Sequence, residues 1–315
     1  MLFPRLALTG VLCLAGFGAA AQTYPTRPIK FVVPFAPGGM DLEVRALAPE
    51  LERLLGQPIV VEPREGGGSS IGANYVRAAA PDGYTLLYSS SIVLTVGPLV
   101  RKVPYGFDDF VPVAQTTATA NIMASRIDAP FTTLPELVTY AKANPGKLLF
   151  GSSGTGTGVH LSGQLVADRL GITINHIPFD GVARSVAAAV GGNIDYVIGF
   201  PIAIIPQVES GKMRALAQLG GTRSPALPDL PTLRDQGFDV AVDANTGVFA
   251  PKGTPDAAIA RLAEALKTAV EAPSFRDYGM KRWTVPVYRG SVEFAAAIAP
   301  ERTLFVDVIK GLQLN

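Results

Sequence analysis

Apolar side chains recur along this chain in two spacings, and the spacings alternate. Ile29-Lys30-Phe31-Val32-Val33 is a short β-branched and aromatic run closed by Pro34, the pattern of a buried strand. Over residues 41–55 the leucines at 47, 51, 54 and 55 fall at helical spacing, and Gly56 marks the stop. A second strand is predicted over 58–62, a helix over 71–80 and a third strand over 84–88. Strand–helix–strand–helix–strand implies right-handed crossovers and a parallel sheet covered by helices on both faces.

The alternation restarts further on. Helices are predicted over 134–143, 159–170 and 182–190, with strands over 147–150, 174–177 and 196–198. Val248-Phe249-Ala250 is a further strand, followed by a long helix over 255–270. The chain therefore reads as two α/β units. It leaves the first near residue 120 and re-enters it near residue 247. That assigns 22–120 together with 247–315 to one lobe and 121–246 to the other. Two crossings predict a hinge, with a cleft between the lobes.

Composition narrows the class. Hydrophobic residues make up 48% of 315 and charged residues 17%, which gives the apolar surface that a disordered chain lacks. Lys plus Arg number 27 against 26 Asp plus Glu, so no basic field is available for nucleic acid. Residues 1–21 read as an export signal: Arg5 is their single charge, an apolar stretch follows, and Ala19-Ala20-Ala21 offers a small-residue cleavage site near Ala21. The stretch is too short and too rich in small residues to span a membrane. The chain's one cysteine, Cys13, lies inside this segment. Once the segment is removed, 26 basic side chains face 26 acidic ones. Disulfides, thiolate nucleophiles and cysteine metal sites are then excluded.

Two glycine-rich loops, each between a strand and a helix, are the candidate chemistry. The first is Pro34-Phe35-Ala36-Pro37-Gly38-Gly39-Met40-Asp41, and the second is Gly151-Ser152-Ser153-Gly154-Thr155-Gly156-Thr157-Gly158. Glycine allows close backbone approach, and the helix that follows directs free N–H groups into the loop, so the pair suits an anionic ligand. Asp41 is expected as a helix N-cap. Enzyme signatures fare worse. The second loop has Val159 where a dinucleotide fingerprint needs its third glycine, and it lacks a P-loop lysine. Gly68-Ser69-Ser70-Ile71-Gly72 has the spacing of a serine hydrolase elbow, but eight residues separate Ser70 from Val61, too far from its strand. His160 and His176 have no partner at metal-site spacing and are expected to be structural, His160 following the second loop.

Ten blocks of sequence, in order, resemble the Bug proteins, the solute receptors of the tripartite tricarboxylate transporter family. Among them are Val33-Pro34-Phe35 with Pro37-Gly38-Gly39, Leu55-Gly56-Gln57-Pro58 and Ala80-Pro81-Asp82-Gly83-Tyr84. Gly151-Ser152-Ser153-Gly154-Thr155-Gly156-Thr157 with His160-Leu161, Gly191-Gly192-Asn193-Ile194-Asp195 and Ala250-Pro251-Lys252-Gly253-Thr254-Pro255 continue the match. The resemblance implies a type II periplasmic-binding-protein fold, two lobes of mixed or parallel sheet flanked by helices that close on a small carboxylate. It implies ligand contacts at Phe35, Ala36, Pro37, Gly38 and Gly39 on one lobe, and at Ser153, Gly154, Thr155, Gly156 and Thr157 on the other. Selectivity would come from Ser89, Ser90, Phe179, Asp180 and Phe200. Three departures from the family pattern stand out: only Met40 separates the paired glycines from Asp41, Phe179-Asp180-Gly181 replaces a Tyr-Lys-Gly-like stretch, and Asn245 takes a tryptophan's place.

The expected function is capture of a small carboxylate in the periplasm and delivery to a membrane permease of the tripartite tricarboxylate type. The chain is expected to be a monomer that is not inserted in the membrane and needs no cofactor or metal. The alternatives are an exported serine hydrolase using Ser70, and a binding protein that feeds a sensor.

Overall fold

The computed structural model describes residues 24–312. The export signal expected over 1–21 lies outside the described residues. The strands are β1 (Ile29–Val33), β2 (Ile59–Pro63), β3 (Thr85–Ser90), β4 (Phe110–Ala120), β5 (Ile122–Arg126), β6 (Leu148–Ser152), β7 (Ile174–Pro178), β8 (Tyr196–Gly199), β9 (Met213–Gln218), β10 (Asp243–Pro251) and β11 (Val285–Gly290). The helices are α1 (Met40–Leu55), α2 (Ser70–Arg77), α3 (Ile92–Thr95), α4 (Gly97–Val100), α5 (Leu134–Ala143), α6 (Gly158–Leu170), α7 (Val182–Val190), α8 (Pro201–Glu209), α9 (Asp256–Glu271), α10 (Pro273–Met280) and α11 (Ser291–Leu312).

Local chemistry sets the helix ends. Gly56 adopts the left-handed conformation (φ 68°) and its N–H donates to the carbonyl of Glu52, closing α1. Thr133 and Thr157 cap α5 and α6, each accepting a backbone N–H three residues on. Along α1, Val44, Leu47, Leu51 and Leu55 are buried, one stripe of an amphipathic helix.

Two mixed sheets form the two lobes. The first has the order β11-β4-β10-β3-β1-β2, and the second β7-β6-β8-β5-β9. Their parallel parts, β3-β1-β2 and β7-β6-β8, are the strand–helix alternation legible in the sequence. The antiparallel β4, β10 and β11 complete the first sheet, and β5 and β9 the second. β1 is apolar on both faces. Phe31 and Val33 join a cluster with Leu47, Leu51, Leu262 and Leu266, whereas Val32 joins Ala73, Val76, Phe294 and Ile298.

The links between sheets lie side by side. Only Asn121 separates β4 of the first sheet from β5 of the second, and Asp243, where β10 begins, pairs with Ala120. The helix α11 makes a third link. Its Phe294 and Ile298 sit in the first sheet's core, whereas Phe305, Val308 and Ile309 belong to the core of the second.

Candidate functional site

The loops singled out by their glycines emerge at the C-terminal ends of the parallel strands, the edge where open α/β sheets bind ligands. The first loop follows β1, and the Gly66-Gly67-Gly68 loop follows β2. The second glycine-rich loop follows β6, Phe179 and Asp180 follow β7, and Phe200 follows β8. Gly72, in the first turn of α2, packs so closely on Pro34 that a Cβ there would lie 2.8 Å from the proline's Cβ. The first loop and the Gly66-Gly67-Gly68 loop therefore form one continuous rim.

The segment carrying α3 and α4 brings the two lobes into contact. A Cβ at Gly156 would lie 2.6 Å from Cγ1 of Val100, and one at Gly158 would lie 3.0 Å from Cδ1 of Ile92. Beyond Val100, the Arg101 guanidinium crosses the gap. Its Nη2 donates to the Thr155 carbonyl at 3.2 Å, and the same group rests against Gly68, where a Cβ would collide with it. A cation is thereby held between a glycine loop of each lobe. The sequence reading did not single out Arg101, because an isolated arginine in a loop has no distinguishing signal. The Gly156 backbone has φ 69°, which favours glycine independently of the crowding.

Histidines brace the second loop. His160 and His176 stack with ring centroids 3.8 Å apart. The Gly156 N–H donates to His160 Nδ1 at 3.0 Å, which requires that nitrogen to be unprotonated. His176 Nε2 lies 2.6 Å from Ser152 Oγ, and that oxygen accepts the Gly154 N–H at 3.1 Å. Burial lowers the pKa of both rings, and that of His176 falls to about 4 through burial and the neighbouring His160. The two stacked rings thus brace the backbone of the second loop. Ser153 Oγ donates to Thr157 Oγ1, which caps α6, while the N–H groups of Ser153 and Thr155 have no protein partner among the described residues.

Asp41 differs from the expectation. Gly39 occupies the N-cap position of α1, and Asp41 is the helix's second residue. Its carboxylate reaches back instead of capping: Oδ1 accepts the N–H of Gly38 at 2.7 Å and of Gly39 at 3.0 Å. Ala36, Pro37, Gly38 and Gly39 are exposed at the rim, with Phe35 half-buried beneath them.

Of the remaining predicted residues, Ser89 is buried and its hydroxyl donates to the Ser90 carbonyl. Ser90 is also buried, opposite Thr246 of β10. Phe179 is half-buried against Gly151, and Phe200 is half-buried at the start of α8. Asp180 stands at the surface, 3.3 Å from the arginine of Arg184 one turn along α7. Ser70 opens α2 in the first lobe, whereas the two histidines stack on each other in the second. The hydrolase reading thus has no histidine base for its nucleophile.

Behind the site lies a buried polar hub that the sequence did not reveal. Glu301 of α11 accepts from Ser91 Oγ at 2.5 Å, Thr95 Oγ1 at 2.7 Å and Asn245 Nδ2 at 3.0 Å. Asn245 in turn accepts from Gln115 Nε2 at 2.9 Å, and Arg289 Nη1 donates to Gln115 Oε1 at 2.5 Å. Burial raises the Glu301 pKa. Asn245 joins β10 to α11 where both pass between the lobes.

No group of three or more His, Cys, Asp or Glu is placed to hold a metal among the described residues, and no described helix is long and apolar enough to cross a membrane. Residues 44–314 match the family described as the tripartite tricarboxylate transporter family receptor. The chain is 34% identical over 313 residues to the protein BugT of Bordetella pertussis, covering 97% of this chain and 96% of that one. Among solved structures it resembles MatC of Rhodopseudomonas palustris with bound malate, at 30% identity and a TM-score of 0.76, over 91% of this chain and 100% of the other. It also resembles an R. palustris protein with adipate, at 28% identity and a TM-score of 0.81, over 91% and 97% of the two chains.

Proposed function

The chain belongs to the tripartite tricarboxylate transporter receptor family, whose members are binding proteins and not enzymes, and from that premise we propose that it captures a small organic carboxylate between its lobes. It would do so in the periplasm, after removal of residues 1–21 near Ala21, and present the closed form to a membrane permease of the tripartite tricarboxylate type. The moving bodies in this reading are 22–120 with 247–315, and 121–246. The observation that carries it is the placement of Arg101 between Gly68 of one lobe and Thr155 of the other, on the loop whose Ser153 and Thr155 N–H groups have no protein partner among the described residues. A carboxylate there meets a guanidinium and backbone donors together, a strong charge-assisted arrangement. An anion that touches both lobes stabilises the closed state more than the open one, and this differential affinity drives closure. The relatives with malate and adipate support a carboxylate as the ligand class.

A thermal-shift screen of the mature protein against malate, adipate, monocarboxylic acids, amino acids and the uncharged amides of the same acids tests the reading. Saturating ligand at about 100 times its dissociation constant is worth about 2.7 kcal/mol of stability, a readily measured rise in melting temperature. A shift with a carboxylate series supports it. A shift confined to compounds without a carboxylate contradicts it.

A further inference from the structure

Asp41 turns its carboxylate onto the loop in front of its own helix. Oδ1 accepts the N–H groups of Gly38 and Gly39, at 2.7 and 3.0 Å, and Oδ2 lies 3.6 Å from Nε of Arg45 one turn along α1. The carboxylate is buried, with 5% of its side chain exposed, whereas the arginine beside it is 56% exposed. The short spacing makes this geometry available: with only Met40 between Gly39 and Asp41, the side chain hooks back over the loop. Pro34 and Pro37 have no N–H, and an internal anion holds those of Gly38 and Gly39, the two residues immediately before α1.

We propose that Asp41 is a built-in occupant of the first loop's anion seat and a specificity-determining residue that restricts the cleft to ligands with a single carboxylate, held by Arg101 and the second loop. The inference rests on the receptor reading above. A second ligand carboxylate directed at the first loop would find the Gly38 and Gly39 donors taken. It would also bring a negative charge next to a buried one, where water screens poorly. An uncharged end meets neither obstacle. Half-buried Phe35 and Met40 at the same rim give an aliphatic end apolar surface to cover.

The test uses matched acids that differ by one carboxylate: adipate with hexanoate, and malate with 2-hydroxybutyrate. Each is titrated calorimetrically into the mature wild-type protein, Asp41→Ala and Asp41→Asn, with circular dichroism to verify folding. The wild type should bind the monoacid of a pair at least about tenfold more tightly than the diacid. Asp41→Ala, which frees both N–H groups and removes the charge, should raise diacid affinity by at least about tenfold and leave the monoacid within about threefold. Asp41→Asn keeps an acceptor on the loop and so guards against loss of fold. It should raise diacid affinity by less than the alanine variant does. A wild-type preference for the diacid in both pairs, or diacid affinity unchanged in Asp41→Ala, overturns the inference while leaving the receptor reading intact. If none of the three proteins binds any of the four acids, the receptor reading fails and the inference with it.

Discussion

Replacing Gly156 by alanine tests the contact between the lobes. The native residue has φ 69°, so any Cβ there sits in the left-handed region, which costs about 1 kcal/mol for a non-glycine residue. The new methyl would also lie 2.6 Å from Cγ1 of Val100, about 1 Å inside a comfortable carbon–carbon contact. Relieving that overlap in a packed region costs about 1–3 kcal/mol. The sum predicts a loss of about 2–4 kcal/mol for Gly156→Ala. Removing the obstructing methyls should recover the overlap cost but not the backbone cost. In a double-mutant cycle, Gly156→Ala with Val100→Ala should therefore be less destabilised than the two single losses combined, by about 1–3 kcal/mol. Urea unfolding of the four proteins measures the cycle. Ligand titration of the same four then shows how much of the loss falls on closure. Additive effects would refute the argument, because they would mean that Val100 does not limit the space at Gly156.

Other expectations follow from the same geometry. Arg101→Gln keeps a donor for the Thr155 carbonyl but removes the charge, and should weaken carboxylate binding by about tenfold with a shallower salt dependence, read by titration at two ionic strengths. His176 has its pKa held near 4, below its unfolded value, so between about pH 6.5 and 4 the unfolded chain binds the extra proton. Stability should therefore fall as the pH is lowered through that window, by about 1–2 kcal/mol after discounting for partial solvent screening. His176→Asn should flatten this acid limb in melts at pH 7, 5.5 and 4.5, and an unchanged slope would contradict the assignment. Glu301→Ala leaves the donors of Ser91, Thr95 and Asn245 without their acceptor in a buried hub and should cost about 2–4 kcal/mol in urea unfolding.

Much of the scaffold was legible because it obeys local rules. The predicted 29–33 strand and the 134–143 and 182–190 helices coincide with β1, α5 and α7, where apolar periodicity and end signals agree. The parts that escaped are those whose pattern is set by distant partners. β4 is an antiparallel strand that carries Gln115, Thr116, Thr117 and Thr119 as buried polar residues, so its composition resembles a loop until Asn245, Glu43 and Tyr88 are placed beside it. No helix is predicted over 291–312, where the two halves of α11 pack into different lobes. The same division holds at the site. Glycines 38, 39, 154 and 156 were visible because loops between strand and helix need them. The cross-lobe position of Arg101, the stacking of His160 on His176 and the backward hook of Asp41 each depend on folding.

The central claim is that a carboxylate bridges the lobes at Arg101 and the second glycine-rich loop. Its most direct test is a crystal structure of the mature protein grown with the carboxylate that gives the largest thermal shift. The account predicts one carboxylate of the ligand within hydrogen-bonding distance of the Arg101 guanidinium and of a backbone N–H from residues 153–158, with both lobes in contact with it. A ligand bound wholly within one lobe, or oriented with its carboxylate away from Arg101, would contradict the account.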